Sequence, residues 1–67
     1  TMADLFNRSK LKELREDRGL TQAQLAEALG IQQSRIAEAE GSGTLSVNRA
    51  QQLARFFDID WKELLKD

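Results

Sequence analysis

The 67-residue sequence predicts an all-α fold of five short helices, the second and third joined as a helix-turn-helix. Three observations predict it. Apolar residues recur at helical spacing, as in the pairs Leu25 and Leu29 (i, i+4) and Ile36 and Ala39 (i, i+3). Residues that start or stop helices stand between these runs, among them Thr21, Ser46 and Asp60 at starts and Gly19 and Gly30 at stops. Finally, TQAQLAEALGIQQSRIAEAE, from Thr21 to Glu40, sets two amphipathic segments across one glycine, with small residues where they must touch.

The first helix is expected to begin between Asp4 and Ser9, either of which can cap it, and to run to Arg18, with Leu11, Leu14 and Arg18 on neighbouring turns. Gly19 ends it and Leu20 lies in the turn. Thr21 then caps a second helix over Gln22 to Leu29, because its hydroxyl can accept from a free amide of the first turn. Gly30 suits the left-handed conformation that closes this helix, having no Cβ to clash. Ile31 tucks the turn onto the core, and a third helix follows over about Gln33 to Glu40. Two helices crossing at roughly 90 to 120° over so short a turn approach closely, and a side chain longer than Ala26 would hold them apart. Gly41, Ser42, Gly43 and Thr44 form a loop of residues that tolerate turn geometry. Ser46 caps a fourth helix from Val47 to about Phe57, with Val47, Ala50, Leu53, Ala54 and Phe57 as its buried stripe. Asp60 caps a final turn or two through Trp61, Leu64 and Leu65. Contacts among such near neighbours in sequence predict fast folding.

Composition removes several classes of function. The chain reads as one small domain over residues 1–67, with a core too small for a buried cofactor pocket, so no cofactor is expected. Cysteine and histidine are absent, which excludes disulfides, thiolate chemistry, the usual zinc sites and the commonest general base. No catalytic pair or metal cluster is evident, and an enzyme is not expected. No apolar run approaches the roughly 20 residues that span a bilayer, and no signal peptide pattern appears. A soluble, cytoplasmic protein is the expectation. Thr1, ahead of Met2, is expected to be a remnant of expression.

Net charge is −1, but the charges are unevenly placed. Between Arg8 and Arg35 the bases Arg8, Lys10, Lys12, Arg15, Arg18 and Arg35 outnumber the acids Glu13, Glu16, Asp17 and Glu27. From Ala37 onward the acids Glu38, Glu40, Asp58, Asp60, Glu63 and Asp67 outnumber Arg49, Arg55, Lys62 and Lys66. This polarity can turn one end toward phosphates. Without a strong basic field one copy should bind nucleic acid weakly, and pairing two copies on a two-part site would supply the missing affinity.

From about Leu11 to Leu65 the chain resembles the Cro/repressor, or Xre, type of helix-turn-helix domain. The resemblance is carried by LREDRGLTQAQLAEALGI, then QQSRIAEAE, then the loop, the fourth helix and the closing DWKELL. Between Glu40 and Val47 the loop is shorter than is common in the family and lacks its frequent proline. The resemblance implies a compact repressor-like domain that binds double-stranded operator DNA, with the third helix in the major groove and the second crossing the backbone. Gln33 and Ser34 match the family's base-reading positions, with Gln32 beside them and Glu38 one turn farther along. A glutamine amide can pair with adenine, serine with either kind of partner, and glutamate with cytosine N4. Gln22 matches the position that reaches a phosphate and braces the recognition helix, next to Thr21. Arg35, Lys10, Asn48 and Arg49 are further candidates for the DNA backbone. Arg15 and Glu40 match positions that pair, and a partly buried salt bridge is expected.

A homodimer on DNA follows from this reading, with Phe56, Trp61 and Leu65 as a candidate exposed patch between copies and closure of the core by Trp61 as the alternative. Three functions are compatible with the sequence. They are a transcriptional regulator, most simply a repressor; the DNA-binding antitoxin of a toxin-antitoxin pair, with a toxin as second partner, because QSRIAEAE followed by a short loop and LSV resembles such proteins; and a protein-interaction module that has lost DNA binding.

Overall fold

Asn7 opens the first helix and also joins the two ends of the described chain. The computed structural model describes residues 7–42 and 45–65, without the side chain of Arg8. Helix α1 spans Arg8–Asp17, and the Asn7 side-chain oxygen accepts from the Lys10 amide at 3.2 Å. The start falls between Asp4 and Ser9 as expected, on a different cap. Asp4 lies outside the described residues, and Ser9 falls inside the helix. The Asn7 N–H donates to the Leu64 carbonyl at 2.8 Å, so a tertiary contact selects the start among several residues of similar capping preference.

Helix α2 spans Gln22–Leu29 behind a capping box: the Gln24 amide donates to Thr21 Oγ1 at 3.0 Å, and the Thr21 amide donates to Gln24 Oε1 at 2.9 Å. Gly30 closes it at φ +70°, and the Ile31 amide returns to the Ala26 carbonyl at 3.0 Å. Helix α3 spans Gln33–Gly41 and packs chiefly on α2, with Leu25, Ala26, Ile36 and Ala39 all buried between them and the rest of the core.

Helix α4 spans Val47–Phe57, its first turn capped by Ser46 Oγ, which accepts from the Arg49 amide at 3.1 Å. Ala50, Leu53, Ala54 and Phe57 are buried, but Val47 is 37 % exposed and does not belong to the stripe. It sits on the opening turn, whereas Leu45, just ahead of the helix, is buried in the core. The helix ends on Asp58 in the left-handed region, at φ 58°, a conformation that aspartate tolerates better than most residues.

The closing segment is a turn of 3₁₀ helix at Trp61–Leu64, so the described residues form four α-helices and this turn rather than five helices. Asp60 and Glu63 form its capping box, which sustains a single turn, and buried Leu64 anchors it. Phe56, Trp61 and Leu65 are half-buried and pack against the core, Phe56 meeting Phe57 edge-on with ring centroids 5.1 Å apart. The expected exposed patch is therefore largely core packing. Gly43 and Thr44 of the expected loop, with its shortened span, lie outside the described residues.

Candidate nucleic-acid interface

Burial divides α3 cleanly along its length. Ile36 and Ala39 are 1 % and 3 % exposed and fix the inner face. That rotation turns Gln32, Gln33, Ser34, Arg35, Ala37 and Glu38 outward, all of them exposed. Gln32 is the N-cap residue, but its side chain does not cap the helix. The described residues offer no partner to the side chains of Gln33 and Ser34, so their donors and acceptors at the opening turn face solvent. Arg35 and Glu38 approach to 3.7 Å with both side chains more than half exposed, an ion pair worth under about 1 kcal/mol.

A cleft of about 280 Å³ separates this helix from the start of α4, lined by Arg35, Glu38, Leu45, Ser46 and Arg49. Arg49 is half-buried and donates through Nη1 to Gln52 Oε1, while Gln52 Nε2 donates to the Leu29 carbonyl at 3.2 Å. The expected contacts Arg35 and Arg49 thus flank one opening. Asn48 is exposed on the first turn of α4. Lys10 belongs to the first turn of α1, whose start is tied to the closing turn, and it does not line the cleft.

One carboxylate sets the angle of α3. Glu40 accepts from Arg15 Nε at 2.7 Å and Arg15 Nη2 at 2.9 Å, a two-pronged pair whose side chains are 11 % and 5 % exposed for Arg15 and Glu40. Arg15 Nη1 also donates to the Leu20 carbonyl at 2.7 Å. The hydrogen bond to Glu40 raises the Arg15 pKa above its ordinary value despite the opposing effect of burial. Gln22 Nε2 donates to the same carboxylate at 3.2 Å. Glu40 therefore joins α1, α2 and α3. An amide nitrogen carries two hydrogens, so Gln22 can hold Glu40 and still present a donor outward. Thr21 is exposed at the same terminus, its hydroxyl already accepting from Gln24.

This is the arrangement of two helices braced at a fixed crossing, the second offering an amide, a hydroxyl and a guanidinium from one exposed turn. A family model described as a helix-turn-helix, HTH_3, matches residues 11–64. The chain belongs to the Cro/repressor, or Xre, type of helix-turn-helix family. This family is one of DNA-binding transcription regulators and not of enzymes, and its partner is double-stranded DNA. No curated protein and no solved structure matches the chain. Among the described residues no helix is long and apolar enough to cross a membrane.

Two supporting residues escape a reading of the sequence. Gln52 donates to the Leu29 carbonyl at the end of α2, and its spacing of three from Arg49 on one helix face is the only local sign of it. Arg18 donates through Nη2 to the Phe57 carbonyl at 2.8 Å, its guanidinium 5.4 Å from the Phe57 ring centroid. It thereby satisfies an open carbonyl at the end of α4.

Proposed function

We propose that this protein is a sequence-specific transcriptional repressor of the cytoplasm, a single helix-turn-helix domain that occupies a two-part operator as a dimer. The opening turn of α3 reads base edges in the major groove, with Gln33 and Ser34 as the principal readers and Gln32 and Glu38 beside them. Arg35, Arg49, Asn48, Gln22, Thr21 and Lys10 hold the DNA backbone. The observation that carries this reading is the exposure of Gln33 and Ser34 directly above buried Ile36 and Ala39, on a helix braced by Arg15 and Gln22 through Glu40.

Dimerisation belongs to the reading because the net charge is only −1 and a single copy has few phosphate contacts from which to gain affinity. Two half-sites one helical turn apart, about 10 base pairs centre to centre, would let two weak contacts act as one strong one. Selection of bound sites from random duplex DNA tests the proposal. An enriched palindrome supports it, and the absence of any enriched sequence would redirect the search toward protein partners, a toxin among them.

A further inference from the structure

Two hydrogen bonds in series run from the cleft beside α3 to the turn that precedes that helix. Arg49 Nη1 donates to Gln52 Oε1, and Gln52 Nε2 donates to the Leu29 carbonyl at 3.2 Å. The bonds use opposite ends of one carboxamide, so a single orientation of the Gln52 side chain satisfies both. Leu29 is the last residue of α2, and its carbonyl is one of those that a helix end leaves without an intrahelical partner. The Gly30 and Ile31 amides donate to the Glu27 and Ala26 carbonyls instead, which leaves that of Leu29 to Gln52. The relay therefore begins on the backbone of the helix-turn-helix and ends on a cation.

Arg49 and Gln52 are both half-buried, whereas Ser46 and Asn48 nearby are exposed. A long side chain held in this way gives up rotamer freedom before any ligand arrives, which lowers the cost of binding. Its guanidinium carries five N–H donors in a flat fork. One hydrogen goes to Gln52, and the others have no partner among the described residues. Arg49 also lines the cleft of about 280 Å³ with Arg35 and Ser46. We propose that Gln52, without touching DNA, is a positioning residue that holds the Arg49 fork in this cleft, aimed at one phosphate of the DNA backbone and in register with the turn that leads into α3. The proposal rests on the reading of this face as a DNA surface, and it makes Arg49 a held fork rather than a mobile charge. A neutral amide suits the task. A carboxylate at position 52 would take Arg49 as an ion pair and cancel the charge offered to phosphate, and an apolar side chain of equal length would make neither bond.

The test is a double-mutant cycle on the best selected duplex, read by affinity, salt dependence and urea denaturation. Q52M is expected to weaken binding roughly three- to tenfold and to lower the slope of log K against log salt by up to about 1, with discrimination between bases unchanged. In an R49M background the same substitution should change affinity by less than about twofold, because Gln52 acts through Arg49 alone. The denaturation midpoint should fall in both backgrounds, since the Leu29 carbonyl loses its partner in each. Equal weakening by Q52M with and without Arg49 is the behaviour of a merely structural residue and overturns the proposal, as does unchanged affinity in Q52M. R49K decides the matter if Q52M fails to fold, because it leaves Gln52 and its bond to Leu29 in place. It keeps the charge and removes the fork, so a severalfold loss of affinity is expected, and binding equal to wild type overturns the proposal. If R49M binds as tightly as wild type and with the same discrimination, Arg49 makes no contact and this proposal alone falls. If wild type binds no duplex DNA, the reading of the face falls and takes the proposal with it.

Discussion

Gln22 and Glu40 are joined across the helix-turn-helix, Gln22 Nε2 lying 3.2 Å from Glu40 Oε1. Because Arg15 Nη2 donates to the same oxygen at 2.9 Å, the residue proposed to touch the DNA backbone is also tied to the pair that locks α3 to α1. Phosphate contact and helix angle are thereby coupled through one carboxylate. A Gln22→Ala variant is expected to lose both, with weaker binding to every DNA sequence and a modest loss of stability of about 1 kcal/mol for the missing hydrogen bond. Gln22→Glu would place a second carboxylate against Glu40, and its denaturation midpoint should fall below that of Gln22→Ala.

Arg15→Ala strands the Glu40 carboxylate in a site where only 5 % of its side chain is exposed. Loss of one partner from a buried pair costs about 3 to 5 kcal/mol, a large fraction of the stability of a small domain. Urea denaturation of the variant should show a midpoint shifted far below that of wild type. An unchanged midpoint would show that the pair contributes nothing.

Glu38→Gln should strengthen binding. The exchange removes a negative charge from the proposed DNA face and breaks only an exposed pair with Arg35 at 3.7 Å, worth under about 1 kcal/mol. Arg35→Ala should weaken binding to all sequences and lower the slope of log K against log salt by about 1 if Arg35 neutralises one phosphate. Titrations at several salt concentrations distinguish the two effects. Weaker binding of Glu38→Gln confined to one base position would mark Glu38 as a reader of cytosine.

Gly30→Ala tests the turn by itself. A Cβ at Gly30 would meet nothing within 4 Å, but the residue holds φ +70°, so the cost is conformational and of order 1 kcal/mol. Gly30→Asn, which tolerates the left-handed region, should lose less. Thermal melting of both variants checks the order.

The parts of this molecule that were legible in its sequence are those fixed by local chemistry. Thr21, Gly30 and Ser46 bound their helices through their own hydroxyls or lack of Cβ, and the spacing of Leu25, Ile36 and Ala39 decides which side of α2 and α3 faces inward. Where tertiary contact decides, the sequence was silent. Asn7 rather than Ser9 caps α1, and its own N–H is bonded to the Leu64 carbonyl, while Leu45 is buried and Val47 is not. The closing segment follows helical spacing yet forms only a 3₁₀ turn. At the site, exposure of Gln33 and Ser34 follows from periodicity alone, but the bonds from Gln22 to Glu40 and from Gln52 to Leu29 depend on how helices cross, which no spacing along one helix encodes.

Base reading by α3 is decided by titrating the best selected operator, and single-base variants of it, with wild type and Gln33→Ala at fixed salt. Wild type is expected to discriminate at the base pair read by Gln33 by about 1 to 3 kcal/mol. Gln33→Ala should lose that discrimination while keeping its fold and its nonspecific affinity. Equal discrimination by both proteins at every position would contradict the assignment of α3 as the reading helix.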